Sequence, residues 1–288
     1  MLVALAAVWG ASFLFIRLCV DALGAVALAD GRLLLAAGTL ALLLVPAGLL
    51  VRPRAPVRRY LLLGAVNAAA PFTLIALAEK RLDASLAAII NAATPLFSAL
   101  VGAAVGDERI SARRGVGLVL GMAGVALVVG LAHQEVDAGF LLAAGCSLLA
   151  ALCYAIGTTY AKHALAGEPP NTLAFGQQIA AGTLMLPLLA LSPPPHPGDA
   201  GALAALGALA VASTALAYLV YFRLLAEVGP TNTLAVTFLV PVFGVIWAAI
   251  FLGERLTLGT VAGGLLILVS VSLVTGAGWP AAARATVP

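Results

Sequence analysis

The sequence predicts an all-α polytopic membrane protein with ten transmembrane helices, arranged as two inverted-topology five-helix repeats around a central cavity. Three observations predict this fold. The chain is 63% hydrophobic and 9% charged, whereas soluble domains average about 25% charged residues. Apolar runs long enough to cross a bilayer as helix recur along its length. Apolar and polar residues do not alternate in these runs as they do in the strands of a membrane barrel. The runs must therefore be helices, whose backbone groups form hydrogen bonds within the segment. Finally, a segment of the first half reappears in the second.

Ten apolar spans can be drawn, separated by short connections that carry most of the charge. The predicted spans are 2–20, 28–50, 59–79, 83–105, 112–131, 138–160, 171–191, 201–225, 230–252 and 257–278.

The internal repeat has a fixed offset of 146 residues. Residues 82–130 and 228–276 share 11 identities in 49 positions, including Pro95 with Pro241 and Glu108 with Glu254. We therefore assign a first five-helix repeat to 1–137 and a second to 138–288. Because five is odd, the second repeat enters the membrane the opposite way up. Inverted repeats are typical of secondary transporters, in which two similar halves open a central site to each side in turn.

The distribution of Lys and Arg predicts that both termini are cytoplasmic. With that orientation the cytoplasmic side carries ten basic residues and the opposite side five. The ten are Arg52, Arg54, Arg58, Arg59, Arg109, Arg113, Arg114, Lys162, Arg223 and Arg284.

Polar and aromatic residues recur at helical spacing on spans 1, 3, 4, 6, 8 and 9 only. Because an amide or phenol facing lipid is costly, these residues should face the interior and outline a substrate cavity. Helix-to-helix hydrogen bonds and ordinary proline kinks are the alternatives. The candidates are Trp9, Ser12, Phe13, Asn67, Pro71, Asn91, Pro95, Tyr154, Thr158, Thr214, Tyr218, Tyr221, Phe238 and Pro241.

Charged residues are expected outside the hydrocarbon region, with Arg223 the nearest to the cavity. A charge inside a membrane span would be a functional candidate. Arg17, Arg32, Glu79, Lys80, Arg81 and Asp83 are interpreted as loop charges at the outer rim, with a gating role as the alternative. Glu108 and Glu254 are expected to fix helix-to-helix corners, where the following Ser111 and Thr257 cap the next helix.

Small residues indicate tight packing in two spans. Gly117 and Gly121 in the fifth span, and Gly259 and Gly263 in the tenth, have the spacing that brings helices close together. The same spacing would also suit a dimer contact, so monomer and dimer both remain open. The three cysteines lie in apolar stretches and are interpreted as small core residues rather than a disulfide or zinc site.

No enzyme is predicted, and no cofactor or metal. The sequence contains no HExxH, GxSxG, GxGxxG or Walker motif. There is also no basic run with interleaved aromatics, so nucleic acid is not an expected partner. The expected partners are a small-molecule substrate and membrane lipid. Transport would be driven by the substrate gradient or by a coupled ion.

Three segments resemble the drug/metabolite transporter superfamily and its EamA-type branch. They are WGASFLFIR at 9–17, ATPLFSALVGAAVGDERIS at 93–111 and VPVFGVIWAAIFLGERLT at 240–257. The resemblance covers essentially the whole chain. It implies a helical bundle with a cavity lined by spans 1, 3, 4, 6, 8 and 9. It also implies a metabolite exporter of the bacterial inner membrane, most similar to aromatic amino-acid exporters. Small multidrug-resistance relatives exchange protons through a carboxylate in their first span, whereas residues 2–20 contain none.

The expected function is therefore export of small metabolites, chiefly aromatic or neutral amino acids, by alternating access. One alternative is a nucleotide-sugar or other metabolite or drug exchanger of the same superfamily, which would need cations in the cavity. Another, from a different class, is a lipid flippase or scramblase, which would need a polar groove open sideways to lipid.

Overall fold

The computed structural model describes residues 1–107, 110–131, 136–192, 199–221 and 236–275, without the side chains of Thr237 and Phe238. The described residues are helical throughout, with short connections and no strand. We number the helices in chain order: α1 Leu2–Leu23, α2 Ala25–Leu44, α3 Val57–Ala78, α4 Ala84–Ala104, α5 Ala112–Gly130, α6 Ala138–Ala164, α7 Pro170–Ala190, α8 Ala200–Tyr221, α9 Val236–Trp247 with the following turn Ala248–Leu252, and α10 Leu258–Thr275.

The predicted spans match these helices closely. Nine helices in the described ranges have 18 or more residues and are apolar enough to cross a membrane. The described part of α9 is shorter, and residues 230–235 of its predicted span lie outside the described chain. The largest difference is α2, which begins at Ala25 and ends at Leu44 rather than running from 28 to 50. Pro46 therefore follows the helix instead of lying inside it.

The helix packing repeats when the two halves are exchanged. In the first half α1 packs against α8 and α9, and in the second half α6 packs against the corresponding α3 and α4. Each of α2, α4 and α5 packs against its own counterpart, which is α7, α9 and α10 respectively. A pseudo-twofold axis between the halves explains this pattern, so the sequence repeat is also a structural repeat.

The two ends of α4 show that the repeats point in opposite directions. Glu254, in the corner after α9, accepts hydrogen bonds from the backbone nitrogens of Ala84 at 2.8 Å and Ser85 at 2.9 Å, so it caps the beginning of α4. Asp107, in the equivalent corner of the first repeat, follows the end of α4 and binds Lys162 at 2.7 Å. Because α4 crosses the bundle, the two corners lie on opposite faces. Glu108 itself lies outside the described residues.

Local hydrogen bonds explain why the chain turns at these corners. Gly253 adopts a left-handed conformation with φ 67°, which ends α9 and favours glycine. The Thr257 hydroxyl then accepts a hydrogen bond from the Thr260 nitrogen at 3.0 Å, and the Ser111 hydroxyl accepts one from the Arg114 nitrogen at 3.4 Å. The predicted capping roles of Ser111 and Thr257 are confirmed, and Glu254 has the predicted corner role.

The glycines of α5 and α10 form a close helix contact, as predicted. A Cβ atom on Gly117 would lie 3.1 Å from the Ser270 carbonyl oxygen, and one on Gly263 would lie 2.8 Å from the Gly124 oxygen. The Ser270 hydroxyl donates a hydrogen bond to the Gly117 carbonyl across the same contact. These glycines therefore serve the packing of α5 against α10 within one chain.

Glu168 ties the connection between α6 and α7 to the connection between α2 and α3. Its carboxylate accepts hydrogen bonds from the Tyr60 hydroxyl at 2.6 Å and from the backbone nitrogens of Arg54 at 3.0 Å and Ala55 at 2.7 Å. The Tyr60 hydrogen bond and then these backbone bonds hold the pKa of Glu168 below its ordinary range. All three bonds favour the ionised carboxylate.

We expect Glu168→Gln to lower the melting temperature at neutral pH and to have less effect in acid. Because the folded-state pKa of Glu168 is depressed, its contribution is present above the unfolded-state pKa, roughly 4.3. It is lost as the pH falls through the folded-state pKa. Melting curves of both proteins from pH 7 down to pH 3 test this. A difference in melting temperature that stays constant over that range would contradict it.

Candidate functional site

An aromatic group joins α1 to α8 in the interior. The Trp9 ring lies 6.3 Å from the Tyr218 ring in an edge-to-face arrangement and 5.5 Å from the Tyr221 ring. The two tyrosines are three residues apart on one face of α8, so both can contact the same partner. These three rings, predicted from two separate sequence stripes, are therefore brought together by the structure.

Two amide side chains extend this group across the bundle. The Asn67 Nδ2 atom donates a hydrogen bond of 2.8 Å to Gln177 Oε1, and Gln177 also lies close to the Tyr218 hydroxyl. The result is a chain of polar groups from α3 through α7 to α8. Asn67 packs directly on Gly157 of α6, where an added Cβ atom would lie 2.5 Å from the Asn67 Cβ atom. Gly157 thus provides the space that Asn67 occupies.

Two π-helical turns position polar residues at equivalent places in the repeats. One turn, Ala65–Ala69, contains Asn67, and the other, Val211–Leu216, contains Thr214. Their first residues differ by the repeat offset of 146. Such turns are rare and occur frequently at functional sites. Pro71, which is buried, follows the first turn closely.

Tyr154 contributes a further ring to this group from α6. Its ring lies 6.4 Å from that of Phe72 in an edge-to-face arrangement. Tyr154 and Tyr218 both lie deep in the bundle, yet part of each side chain remains accessible to water. This combination is typical of side chains that line a space inside a protein. We call the group Trp9, Asn67, Phe72, Tyr154, Gln177, Thr214, Tyr218 and Tyr221 the central cluster.

Arg32 contradicts the sequence-based expectation, because it is buried in the bundle and does not lie at the outer rim. Its side chain is 6% exposed, and it lies about 10 Å along α2 from Ala25 at the usual helical rise. The Nε atom donates a hydrogen bond of 2.8 Å to the Thr214 hydroxyl. The guanidinium carbon lies 3.7 Å from the centre of the Phe72 ring, within the range of a cation–π interaction. A cation therefore adjoins the central cluster.

Glu79 also differs from the prediction of a solvated rim charge. It follows the last residue of α3, is fully buried, and neither carboxyl oxygen has a hydrogen-bond partner in the described chain. Burial and then the nearby Glu254 carboxylate raise the pKa of Glu79 well above its ordinary range. The neighbouring Lys80 and Arg81 are exposed, as predicted for the rim.

Helix α4 is interrupted beside the bundle interior. Its first part ends at Asn91, residues 92 and 93 form a turn, and the second part begins at Thr94, next to Pro95. The Thr94 hydroxyl donates a hydrogen bond to the Asn91 carbonyl at 2.7 Å, so one freed carbonyl is satisfied. The Asn91 Nδ2 atom is buried without a partner in the described structure. The predicted bend at Pro95 is therefore a break with an unpaired amide beside it.

The remaining candidates lie elsewhere. Ser12 and Phe13 are buried on α1, with Phe13 in the hydrophobic core, and Thr158 is exposed one turn beyond Tyr154. Pro241 lines an apolar lateral groove of about 260 Å³ between α4, α9 and α10. The side chain of Phe238, and all of Arg223, lie outside the described residues.

The sequence-based candidate set omits Arg32, Phe72 and Gln177. A charged residue inside an apolar run was the available signal for Arg32, but a predicted span that began three residues late placed it near the membrane surface. Gln177 and the adjacent Gln178 were polar exceptions on α7, a span without a polar stripe. Phe72 was visible only as the repeat equivalent of Tyr218.

Comparison with known proteins identifies a transporter family, relatives named as transporters and a solved structure of the same fold. The model of the EamA-like transporter family matches two segments, residues 1–130 and 139–276. An uncharacterized transporter of Archaeoglobus fulgidus is 24% identical over 92% of this chain and 94% of its own length. A probable amino-acid metabolite efflux pump of Salmonella typhimurium is 28% identical over 91% of this chain and 89% of its own. A solved crystal structure shares the fold, with a TM-score of 0.69 over 95% of both chains at 16% identity.

Proposed function

Because the chain belongs to the EamA-like transporter family, we propose that it exports small metabolites, chiefly aromatic or neutral amino acids, across the bacterial inner membrane. The observation that carries this proposal is the central cluster. Rings from α1, α3, α6 and α8 meet an amide pair from α3 and α7 inside the bundle, and Tyr154 and Tyr218 remain partly exposed there. Such a lining suits a solute that has an apolar body and a few polar groups.

The aromatic rings and amides offer different contacts to such a solute. Trp9 and Tyr221 present ring faces and edges to an apolar or aromatic side chain. Asn67, Gln177 and Tyr218 present hydrogen-bonding groups, and the Oδ1 atom of Asn67 and the Nε2 atom of Gln177 have no partner in the described chain. These free positions are available to an ammonium or carboxylate group of the substrate.

The two repeats supply the means of alternating access. Inverted halves related by a pseudo-twofold axis can exchange conformations. One state then opens the site to the inside, and the state in which the halves have exchanged conformations opens it to the outside. The break in α4 and the π-helical turns in α3 and α8 are the places where the backbone can bend beside the central cluster. Cytoplasmic termini, as the Lys and Arg distribution predicts, complete the proposed topology.

A second candidate, an exchanger of anionic metabolites such as nucleotide sugars, is favoured by the buried Arg32 cation. One cation suits a single carboxylate better than a diphosphate, whose greater charge calls for further cations. A lipid flippase has less support, because the lateral groove has an almost wholly apolar lining and offers a headgroup few partners.

Counterflow in liposomes tests the proposed function. Proteoliposomes loaded with unlabelled solute should accumulate labelled phenylalanine, leucine or tryptophan above protein-free liposomes, whereas a nucleotide sugar should give no exchange. Tyr218→Phe removes the hydroxyl proposed to hydrogen-bond the substrate, and the loss of about 1 kcal/mol should lower flux roughly fivefold. Tyr160→Phe is the matched control, because Tyr160 lies near the end of α6 and outside the central cluster, and this variant should keep the native flux. Exchange of none of the amino acids would refute the proposal.

A further inference from the structure

The buried cation Arg32 lacks a partner for most of its donors. Its Nε atom binds the Thr214 hydroxyl, and the Thr214 hydroxyl in turn donates to the Leu209 carbonyl at 2.9 Å. The two terminal nitrogens make no hydrogen bond within the described chain. No carboxylate of the described residues lies within ion-pair distance of the guanidinium. A cation 94% buried in this way is costly unless something else pairs with it.

The position of the guanidinium is fixed from two sides. The Thr214 hydroxyl holds the Nε edge, and the Phe72 ring covers one face at 3.7 Å. These contacts leave the edge formed by the two terminal nitrogens. That edge of arginine binds a carboxylate through two parallel hydrogen bonds, a geometry that lysine cannot provide. Arg32 is therefore held in place, and its carboxylate-binding edge has no hydrogen-bond partner among the described residues.

The surroundings of Arg32 connect this edge to the central cluster. Phe72, whose ring lies against the Arg32 guanidinium, also contacts Tyr154 at 6.4 Å between ring centres. The Arg32 charge is close enough to Tyr154 and Tyr218 to interact with both, and both tyrosines belong to the central cluster and remain partly exposed. Thr214 lies four residues before Tyr218 and so on the same face of α8. The guanidinium thus lies beside the rings proposed to hold the substrate.

We propose that Arg32 is the subsite for the carboxylate of the substrate. This inference rests on the proposed function and names the substrate class more closely, as solutes that carry one carboxylate next to an apolar or aromatic body. The carboxylate would pair with the terminal nitrogens, and the apolar body would lie against Phe72, Tyr154, Trp9 and Tyr218. Helix α2 then contributes to the site, although the sequence placed no site residue on it.

Glu79 is the competing explanation for a cation at this position. Its charge acts on Arg32, and it is buried with both carboxyl oxygens unpaired in the described chain. If Arg32 served only to balance Glu79, neutralising either residue would have the same effect on the protein. If Arg32 binds substrate, only its own replacement should change which substrates are accepted. The Glu79→Gln variant is therefore the matched control.

The experiment measures competition by related solutes in counterflow of labelled phenylalanine. The competitors are phenylalanine, phenylalaninamide, which lacks the carboxylate, 3-phenylpropionate, which lacks the ammonium, and a hexose phosphate. For the native protein and for Glu79→Gln, phenylalanine should compete at concentrations at least tenfold lower than its amide. In Arg32→Gln the two should compete equally. Arg32→Lys keeps the charge but not the two parallel donors of the guanidinium, so it should show a reduced preference for phenylalanine over its amide.

Several outcomes would overturn the inference. They are an unchanged preference for the carboxylate in Arg32→Gln, loss of that preference in Glu79→Gln to the same extent, and stronger competition by the hexose phosphate than by 3-phenylpropionate. If Arg32→Gln does not fold, a full native preference in Arg32→Lys has the same meaning. If the native protein exchanges labelled 3-phenylpropionate but no amino acid, and Arg32→Gln abolishes that exchange, the carboxylate subsite stands and the proposed amino-acid function fails.

Discussion

Gly157→Ala is expected to reduce transport at least tenfold without unfolding the protein. The added methyl group would lie 2.5 Å from the Cβ atom of Asn67 and 2.6 Å from its Oδ1 atom. Real Cβ atoms do not come so close, and the Asn67 Cβ atom is fixed to its backbone, so α3 and α6 must move apart at this point and displace the Asn67 side chain. Its hydrogen bond to Gln177 is then lost. Gln177 also lies close to Tyr218, so the disturbance reaches the aromatic part of the central cluster.

Gly145→Ala is the matched control for this prediction. Gly145 lies on the same helix, α6, and an added Cβ atom there meets nothing within 4 Å. Alanine is favoured over glycine inside a helix by about 1 kcal/mol, so this variant should be as stable as the native protein or slightly more so, with native flux. The measurements are counterflow rates and melting temperatures of both variants. Native flux in Gly157→Ala would separate Asn67 from transport.

Gly121→Leu is expected to have the largest effect on stability. Even the Cβ atom alone would lie 2.2 Å from a methyl group of Leu96 and 2.5 Å from the Ser270 hydroxyl oxygen. The leucine side chain would force α5 away from α10 and break the hydrogen bond from Ser270 to Gly117. Overpacking of this kind costs about 3 kcal/mol. For a chain of this size that corresponds to roughly a 10 °C lower melting temperature.

Gly115→Leu tests whether this effect comes from the helix contact. Gly115 lies on α5 less than two turns before Gly121, and its added Cβ atom would meet open space. Its melting temperature should stay within about 2 °C of the native value. Thermal unfolding in detergent, followed by size-exclusion chromatography, measures both variants. Equal losses in the two would show that α5 tolerates no large residue anywhere, contrary to a specific contact with α10.

The membrane helices and their repeat could be predicted because they depend on local properties of the sequence. An apolar run of sufficient length predicts a membrane span regardless of its neighbours in the fold. The fixed offset between Pro95 and Pro241 predicts that the surrounding backbone segments are equivalent in the two halves. Helix contacts made by small residues were also predictable. Gly117 and Gly263 leave the space through which α5 and α10 approach each other, and no partner of a specific shape had to be guessed.

The electrostatic part of the site could not be predicted with the same reliability. Burial of Arg32 depends on where α2 begins and on the Thr214 and Phe72 side chains of two other helices. A shift of three residues in a span boundary moves a side chain by almost a turn. Glu79 follows a helix end in a charged segment, and only its packing distinguishes it from the exposed Lys80 beside it.

The inclusion of α7 in the central cluster depends on a tertiary contact. Gln177 lies on a helix whose polar residues form no stripe at helical spacing, and its partner Asn67 and its neighbour Tyr218 come from α3 and α8. The π-helical turns that set the direction of Asn67 and Thr214 have no clear sequence signature either. They were visible only once the two repeats could be compared at equivalent backbone positions.

The opposite orientation of the two repeats is the claim on which the shared central site depends, and cysteine labelling tests it most directly. Ile110 and Leu256 occupy equivalent positions in the two repeats, 146 residues apart, and both are exposed. Each is replaced by cysteine in a variant whose native Cys19, Cys146 and Cys153 are changed to alanine. A membrane-impermeant maleimide applied to intact cells should label Leu256→Cys, and Ile110→Cys only after permeabilisation. Labelling of both positions from the same side of the membrane would contradict inverted repeats and the central site between them.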